Sequence, residues 1–292
     1  MNFFERELPV FKAALHTHST CSDGRFRPEE VIAFYEDAGF DVLAFTDHGK
    51  VTPVSAFRSR MALIQGIEMH PAGLPESCWH IVALHVPEDF VYDNTQSAQQ
   101  MVDHVRSLGG VCIAAHPYWC GFSAEFVGGV SGFAALEVYN SSARYIGKAY
   151  NMQLWDELLD SGTMLPAVAV DDFHSMDDFN HGWTMVAAPE CTPEAITTAI
   201  REGSFYATQG PRIESLEFSG GVFRAKFSPC TEVVLMTGKW HGIKGQVASE
   251  AAAKGCCTSF EADVSALPRG SYLRLQLMDG DHNYAWSAPV AW

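Results

Sequence analysis

Several things are scarce or missing in this sequence of 292 residues, and each absence narrows the reading. Long apolar runs are missing. Every such stretch is broken by Gly, Pro or a charge before it reaches the ~20 residues a membrane-crossing helix needs, so no membrane span is expected. Basic residues are scarce. The 19 Lys and Arg are outnumbered by 35 Asp and Glu, giving a formal net charge of -16. Contact with a phosphate backbone needs a basic face, so long nucleic acid is not an expected partner. Carboxylates that hold cations would offset part of that imbalance. The eight cysteines, Cys21, Cys78, Cys112, Cys120, Cys191, Cys230, Cys256 and Cys257, include no C-x-x-C spacing. A thiolate zinc site or a disulfide framework therefore has no support, and scattered reduced thiols are expected. Residues Met1 to Glu7 lack a basic start followed by an apolar block, so no secretory leader is expected and the reading places the protein in the cytoplasm. Neither a nucleophile elbow nor a P-loop occurs, which leaves serine-hydrolase and nucleotide-driven mechanisms without a motif.

What is present is a chain that is 47% hydrophobic, enough for a real core, and long enough for one large domain with an appendage. The stretch Leu15-His16-Thr17-His18-Ser19 ends an expected strand, Ala13 to His18. Side chains two apart on a strand point the same way, so His16 and His18 present two imidazoles side by side. Six further short apolar strands follow: Asp41–Thr46, Met61–Ile67, His80–His85, Val111–Ala115, Ala135–Asn140 and Leu165–Val170. Helices are expected from Pro28 to Gly39, from Thr95 to Ser107 with Asn94 as cap, from Ala143 to Leu159, and from Pro193 to near Gly203. Strands alternating with helices, and apolar throughout, indicate a parallel α/β sheet covered on both faces. Chemistry at nearly every strand end suggests a barrel, with the site at the C-terminal ends of its strands.

After Gly210-Pro211 the pattern changes. No helix is expected there. Glu214–Phe218, Val222–Phe227, Glu232–Met236 and Tyr272–Met278 read as strands, and Leu273, Leu275 and Leu277 alternate with Arg274 and Gln276 as in a half-buried sheet. The expected division is a barrel over 1–208 and a small β-sandwich over 211–292.

The polar residues at strand ends are His16, His18, Asp23, His48, Glu68, His80, His116, Asp172 and His174. Imidazole and carboxylate together suit zinc, manganese or iron, and nine donors exceed one ion's needs, so two or three divalent ions are expected. The ordered series resembles the PHP (polymerase and histidinol phosphatase) family of metal-dependent phosphoesterases, relatives of the amidohydrolases. The stretches that carry it are His16-Thr17-His18-Ser19 with Ser22-Asp23-Gly24, Thr46-Asp47-His48, Gly66-Ile67-Glu68, His80-Ile81-Val82-Ala83-Leu84, Ala115-His116-Pro117, Glu137-Val138-Tyr139-Asn140 and Asp172-Phe173-His174. They span about residues 11 to 205.

The resemblance implies a distorted (β/α)7 barrel, with the nine positions as metal ligands. It also implies hydrolysis of phosphate esters by a metal-bridging hydroxide, most simply on small phosphomonoesters. The alternatives are an exonuclease-like phosphodiesterase on short oligonucleotides and a non-catalytic, metal-stabilised binding module. At the fourth strand the family pattern favours His80 over His85. Asp171 stands where family members often have Ser. Asp47 precedes a ligand and is a candidate to orient an imidazole. Arg144 is a candidate phosphate clamp and His181 a candidate proton donor. Arg25 and Lys50 lie in loops beside ligands, Glu137 points into the barrel mouth, and Tyr118 and Trp119 could stack on a substrate ring.

Overall fold

The computed structural model describes residues 2–3, 6–71 and 79–292. Two short strands, β1 (Asn2–Phe3) and β2 (Arg6–Glu7), precede the strands that carry the site. Those are β3 (Val10–Ala14), β4 (Val42–Phe45), β5 (Ala62–Met69), β6 (Ile81–Leu84), β7 (Val111–Ala114), β8 (Ala135–Asn140) and β9 (Ala167–Val170), with β10 (Trp183–Ala187) and β11 (Phe205–Thr208) after them. The helices here are α1 (Pro28–Asp37), α2 (Ala98–Ser107), α3 (Pro117–Cys120), α4 (Ala124–Gly128), α5 (Met152–Asp160) and α6 (Pro193–Arg201). Strands β4, β6, β7, β8 and β9 are buried at every position, because helices or loops cover both faces.

The fold is mixed α/β, but two expectations are corrected. The sheet is not all parallel. Strands β3, β4 and β5 run parallel, as do β7, β8 and β9, but β6 lies antiparallel to both β5 and β7. Parallel neighbours need a crossover of a dozen or more residues, and the 70–80 connection is too short to provide one. Nor is the sheet a closed barrel. The edge of β3 that would meet β9 is occupied by β10, antiparallel, with Ala13 opposite Thr184. Among the described residues β9 forms no ladder on that side. The gap is spanned by one bridge, Thr17 with Phe173, and by the Thr184 hydroxyl donating to the Ala169 carbonyl at 3.1 Å. Among the described residues helices are also fewer than one per strand, since a 3-10 turn (Val54–Ala56) takes the place of a helix between β4 and β5.

Helix boundaries shift for local reasons. Helix α2 begins at Ala98, not Thr95, because Ser97 rather than Asn94 caps it: the Ser97 hydroxyl accepts from Gln100 N–H, and the Gln100 side chain accepts from Ser97 N–H. The expected long helix from Ala143 is two pieces. A 3-10 turn (Ser142–Ile146) stops at Gly147, whose φ of 73° is left-handed, and α5 starts afresh at Met152.

The C-terminal part contains β12 (Ile213–Ser219), β13 (Val222–Cys230), β14 (Glu232–Met236), β15 (Gly242–Gln246), helix α7 (Ala248–Lys254), which was not expected, β16 (Cys257–Asp263), β17 (Tyr272–Met278), β18 (Tyr284–Ser287) and β19 (Val290–Ala291). One sheet has the order β16-β13-β12-β1-β2. The other, β15-β14-β17-β18, continues into the first part through β18 on β11, with Tyr206 opposite Ser287. Leu216, Phe223, Phe227, Val233, Leu235, Leu273, Leu275 and Leu277 fill the space between the sheets. Arg274 was expected on a solvated face but is fully buried. Helix α5 covers it: Asp156 receives its Nε and Nη2 at 2.8 Å each, and Trp155 lies under the guanidinium at 4.6 Å. No helix among the described residues is long and apolar enough to cross a membrane.

Candidate metal centre

The loops beyond β3, β4, β5, β7 and β9 meet at one end of the sheet. The reversed β6 enters from the other direction, so its N-terminal residue His80 reaches this end while His85 sits at the far end. Side chains of Asp23, His48, Glu68, His80, His116, Asp172 and His174 line a pocket of about 270 Å³, with Trp119, Ser142 and Ala143 at its rim. All nine expected donors are brought together here.

Glu68 lies at the centre. Its Oε2 is 3.3 Å from His16 Nε2, 3.2 Å from His18 Nε2 and 2.9 Å from His48 Nδ1. Its Oε1 is 2.7 Å from His80 Nδ1 and 3.3 Å from His116 Nε2. Asp172 Oδ1 lies 3.2 Å from His16 Nε2 and 3.1 Å from His18 Nε2. The third region is more open, with His174 Nε2 3.4 Å and His48 Nε2 3.6 Å from Asp23. Three overlapping sets therefore have donor atoms within 4.8 Å of one another: His16, His18, Glu68 and Asp172; His48, Glu68, His70 and His80; and His18, Asp23, His48 and His174.

The donor set fits divalent cations. Glu68 Oε2 and Asp172 Oδ1 are buried and have no hydrogen-bond partner, and ring nitrogens converge on both. An orphaned buried carboxylate oxygen costs several kcal/mol unless a cation meets it. Burial by itself disfavours charge on these groups, yet pairing overrides it. The carboxylates Asp172, Glu137 and Glu68 hold the His16 imidazole well above its ordinary pKa, and His18 is pushed up to about 9. The imidazoles in turn hold Glu68 and Asp172 well below the carboxylate range. This is a set of groups that share positive charge tightly, whether the charge is a proton or a metal ion.

The surrounding residues fix which ring nitrogen faces the pocket. His16 Nδ1 is 2.6 Å from Glu137 Oε1, which leaves Nε2 for the cluster. The other Glu137 oxygen accepts from His116 N–H and from Asn140 Nδ2, both at 2.8 Å. His174 Nδ1 faces the Asp172 carbonyl at 2.8 Å. These are the outer partners that orient ligating imidazoles. The chain is bent to hold them. His116 has φ 26° and Asp172 φ 51°, left-handed values that non-glycine residues adopt at a cost of order 1–3 kcal/mol. Gly24 lets the 19–24 turn press on His18: a Cβ there would lie 2.6 Å from the His18 carbonyl carbon.

Asp47 does not line the pocket. Its carboxylate accepts from Ser19 N–H at 2.8 Å, Ser22 Oγ at 2.8 Å and Thr52 Oγ1 at 2.5 Å. Ser22 Oγ is in turn 3.4 Å from His18 Nδ1, so Asp47 reaches an imidazole only through a serine. Arg144 does not line it either. Its Nε and Nη2 donate to the carbonyls of Ser141 and Asp177 at 2.9 and 2.5 Å. His181 is exposed and tied by its backbone to Asp171. Asp171 faces away from the cluster, accepting from Asn180, His181 and Gly182 N–H and from Tyr35, and burial lifts its pKa to about 6. Arg25 and Lys50 are exposed. Trp119 stands against His80 and His116 with ring centres at 5.2 and 5.1 Å, while Tyr118 lines a separate hollow beside α5. The residue that sequence reasoning left unassigned is His70. It follows Glu68 by two, the same spacing that paired His16 with His18, and that signal was available. Burial and neighbouring imidazoles push its pKa down to about 4.

The strand ends of this mixed α/β sheet gather imidazoles and carboxylates around one pocket in sets able to hold metal ions. Residues 14–139 match the PHP domain, the family that the motif series resembles. A two-domain protein containing a predicted PHP-like metal-dependent phosphoesterase, from Bacteroides vulgatus, is similar over 97% of this chain and 96% of its own. The TM-score is 0.54 and the identity 13%, a likeness of fold. PsfC from Pseudomonas syringae is similar over 66% of this chain and 88% of its own, at TM-score 0.48 and 13% identity. An amidohydrolase from Chromobacterium violaceum covers 56% of this chain and 88% of its own, at TM-score 0.46 and 16% identity. No curated protein matches the chain.

Proposed function

We propose that the chain is a metal-dependent phosphoesterase acting on small phosphomonoesters. The observation that carries this reading is Glu68, a fully buried carboxylate whose two oxygens face five imidazole nitrogens at 2.7–3.3 Å. A carboxylate so placed can join neighbouring ions into one cluster. His16, His18, Glu68 and Asp172 would hold one ion, Glu68, His80 and His116 a second, and Asp23, His48 and His174 a third. When bound, manganese, zinc or iron supplies Lewis acidity toward a phosphoryl group and acidifies water.

The chain's own residues do the rest. Among the described residues no Lys or Arg lines the pocket, so a phosphate dianion must find its positive charge in the ion cluster. Trp119 walls one side of the pocket against His80 and His116. Arg144 acts by pinning the 142–146 turn to the Asp177 carbonyl, and through it the pocket rim. Asp47 acts by holding Ser22 against His18. A pocket of about 270 Å³ suits a small ester better than a polymer. The reading takes residues 1–208 as the catalytic unit and 211–292 as accessory, with the cytoplasm as the compartment.

The test is phosphate release across a panel of phosphomonoesters, with short oligonucleotides and bis-p-nitrophenyl phosphate as diester arms, using protein reloaded with manganese, zinc or iron. Release from monoesters that stops on chelation supports the reading. Release from diesters alone moves the chain to the phosphodiesterase class, and no release with any ion contradicts both.

A further inference from the structure

The residue after the β5 end that no motif claims is His70. We propose that His70 is a positioning residue: it accepts the Nδ1 proton of His48 and so turns the His48 Nε2 lone pair toward the ion held with Asp23 and His174. The inference rests on the metal-site part of the reading above and not on the identity of the reaction.

A neutral imidazole has one N–H and one lone pair. His48 has both ring nitrogens engaged. Nε2 points to Asp23, 3.6 Å away. Nδ1 lies 2.9 Å from two atoms at once, His70 Nε2 and Glu68 Oε2. An ionised carboxylate can only accept, so a lone pair on Nδ1 would face the Glu68 oxygen without relief. Nδ1 therefore carries the proton. The question is which neighbour takes it. Glu68 Oε2 has no hydrogen-bond partner although His48 Nδ1 is close, so that contact lacks the direction of a hydrogen bond. The contact with His70 Nε2 meets both distance and angle. His70 receives the proton, and Glu68 Oε2 stays open toward His16, His18 and the ion they would share.

His70 is held for the task. Its backbone N–H donates to the Tyr92 hydroxyl at 3.3 Å, and its ring stands edge-on to His80 with centroids 4.3 Å apart. Without it, the Nδ1–H of His48 has one acceptor left, Glu68, and turning toward that oxygen both moves Nε2 off the third ion and draws the shared carboxylate out of the cluster.

The experiment is a competitive titration of metal-stripped protein with Zn²⁺ against a chromophoric chelator, repeated with Co²⁺ to read each site's absorption bands. Wild type is compared with His70→Ala, His70→Leu and His70→Gln. The glutamine oxygen can accept in place of the ring nitrogen, whereas leucine fills the space without accepting. The expected result is an unchanged number of ions at saturation in all four. The weakest site should bind about 10–100-fold less tightly in the Ala and Leu variants, the cost typical of losing an outer partner of a metal-bound histidine, and Gln should restore most of it. Three results would overturn the proposal: unaltered affinity in His70→Ala, a glutamine variant no better than the leucine one, or loss of a whole equivalent at saturation, which would make His70 a ligand. None of these depends on turnover. A wild-type chain that binds its ions and cleaves no phosphate ester removes the functional reading and leaves this one standing.

Discussion

The two parts of this chain bury different chemistry. Between the C-terminal sheets the core is apolar, and the one fully buried charge among the described residues of that part, Arg274, lies outside it against α5 with a bidentate carboxylate partner. At the strand ends of the first part the chain buries His16, His18, Glu68, His116, Glu137 and Asp172 within a few ångströms of each other. It also leaves two carboxylate oxygens without donors. A buried charge that loses its partner destabilises by about 3–5 kcal/mol, whereas a buried leucine stabilises by about 1.5–3 kcal/mol. The first part therefore gives up stability to keep a cation site preformed, and the second part has no such conflict. Local rules that fail together at one place are the mark of a functional site.

The contrast can be broken by mutation, from the largest expected effect down. Replacing the shared carboxylate, Glu68→Gln, should lower phosphate-ester turnover on the order of a thousandfold, since metal assistance supplies several kcal/mol of barrier reduction. His16→Ala and His18→Ala should cost on the order of hundreds, with circular dichroism unchanged in all three; full activity in the two histidine variants would refute the mechanism. In the second part the loss falls on stability instead of turnover. Leu275→Ala should destabilise by about 2–5 kcal/mol in denaturant titration while leaving the metal content intact. If that variant loses its ions without unfolding, the two parts are energetically one. Chelation should act only on the first part, lowering its stability by about 3 kcal/mol relative to protein held at a hundredfold excess over the dissociation constant. Arg274→Ala removes a buried partner, but Asp156 is one-quarter exposed, so about 1–3 kcal/mol is expected. Arg144→Ala should have the smallest consequence, about 1 kcal/mol from two lost hydrogen bonds, with metal content unchanged. A large rise in KM there would instead restore Arg144 as a phosphate clamp.

Much of the site was legible in the sequence because strand ends and donor residues are local facts. His16 and His18 follow from period-two geometry, and each apolar strand from β4 to β9 except β8 has a donor at or near one end. What was not legible was direction and closure. An apolar run such as Ile81–Leu84 reads the same in either direction, so the reversal of β6 could come only from the short 70–80 connection. Barrel closure depends on which strand occupies the free edge of β3, and nothing in the hydropathy of Trp183–Ala187 says that β10 takes it. The burial of Arg274 depends on α5, more than a hundred residues away. Arg144 looked like a clamp because its place in the chain is right, yet its guanidinium is taken by two carbonyls that only the folded loop supplies.

The central claim is that one end of the sheet is a preformed site for several divalent ions. The most direct measurement is the metal content per chain of protein purified without chelators, by elemental mass spectrometry, beside Glu68→Gln prepared in parallel. Two to three equivalents of manganese, zinc or iron in the wild type, falling by at least one in the variant, is the predicted result. At most one equivalent in the wild type, or the same content in both, would contradict the account.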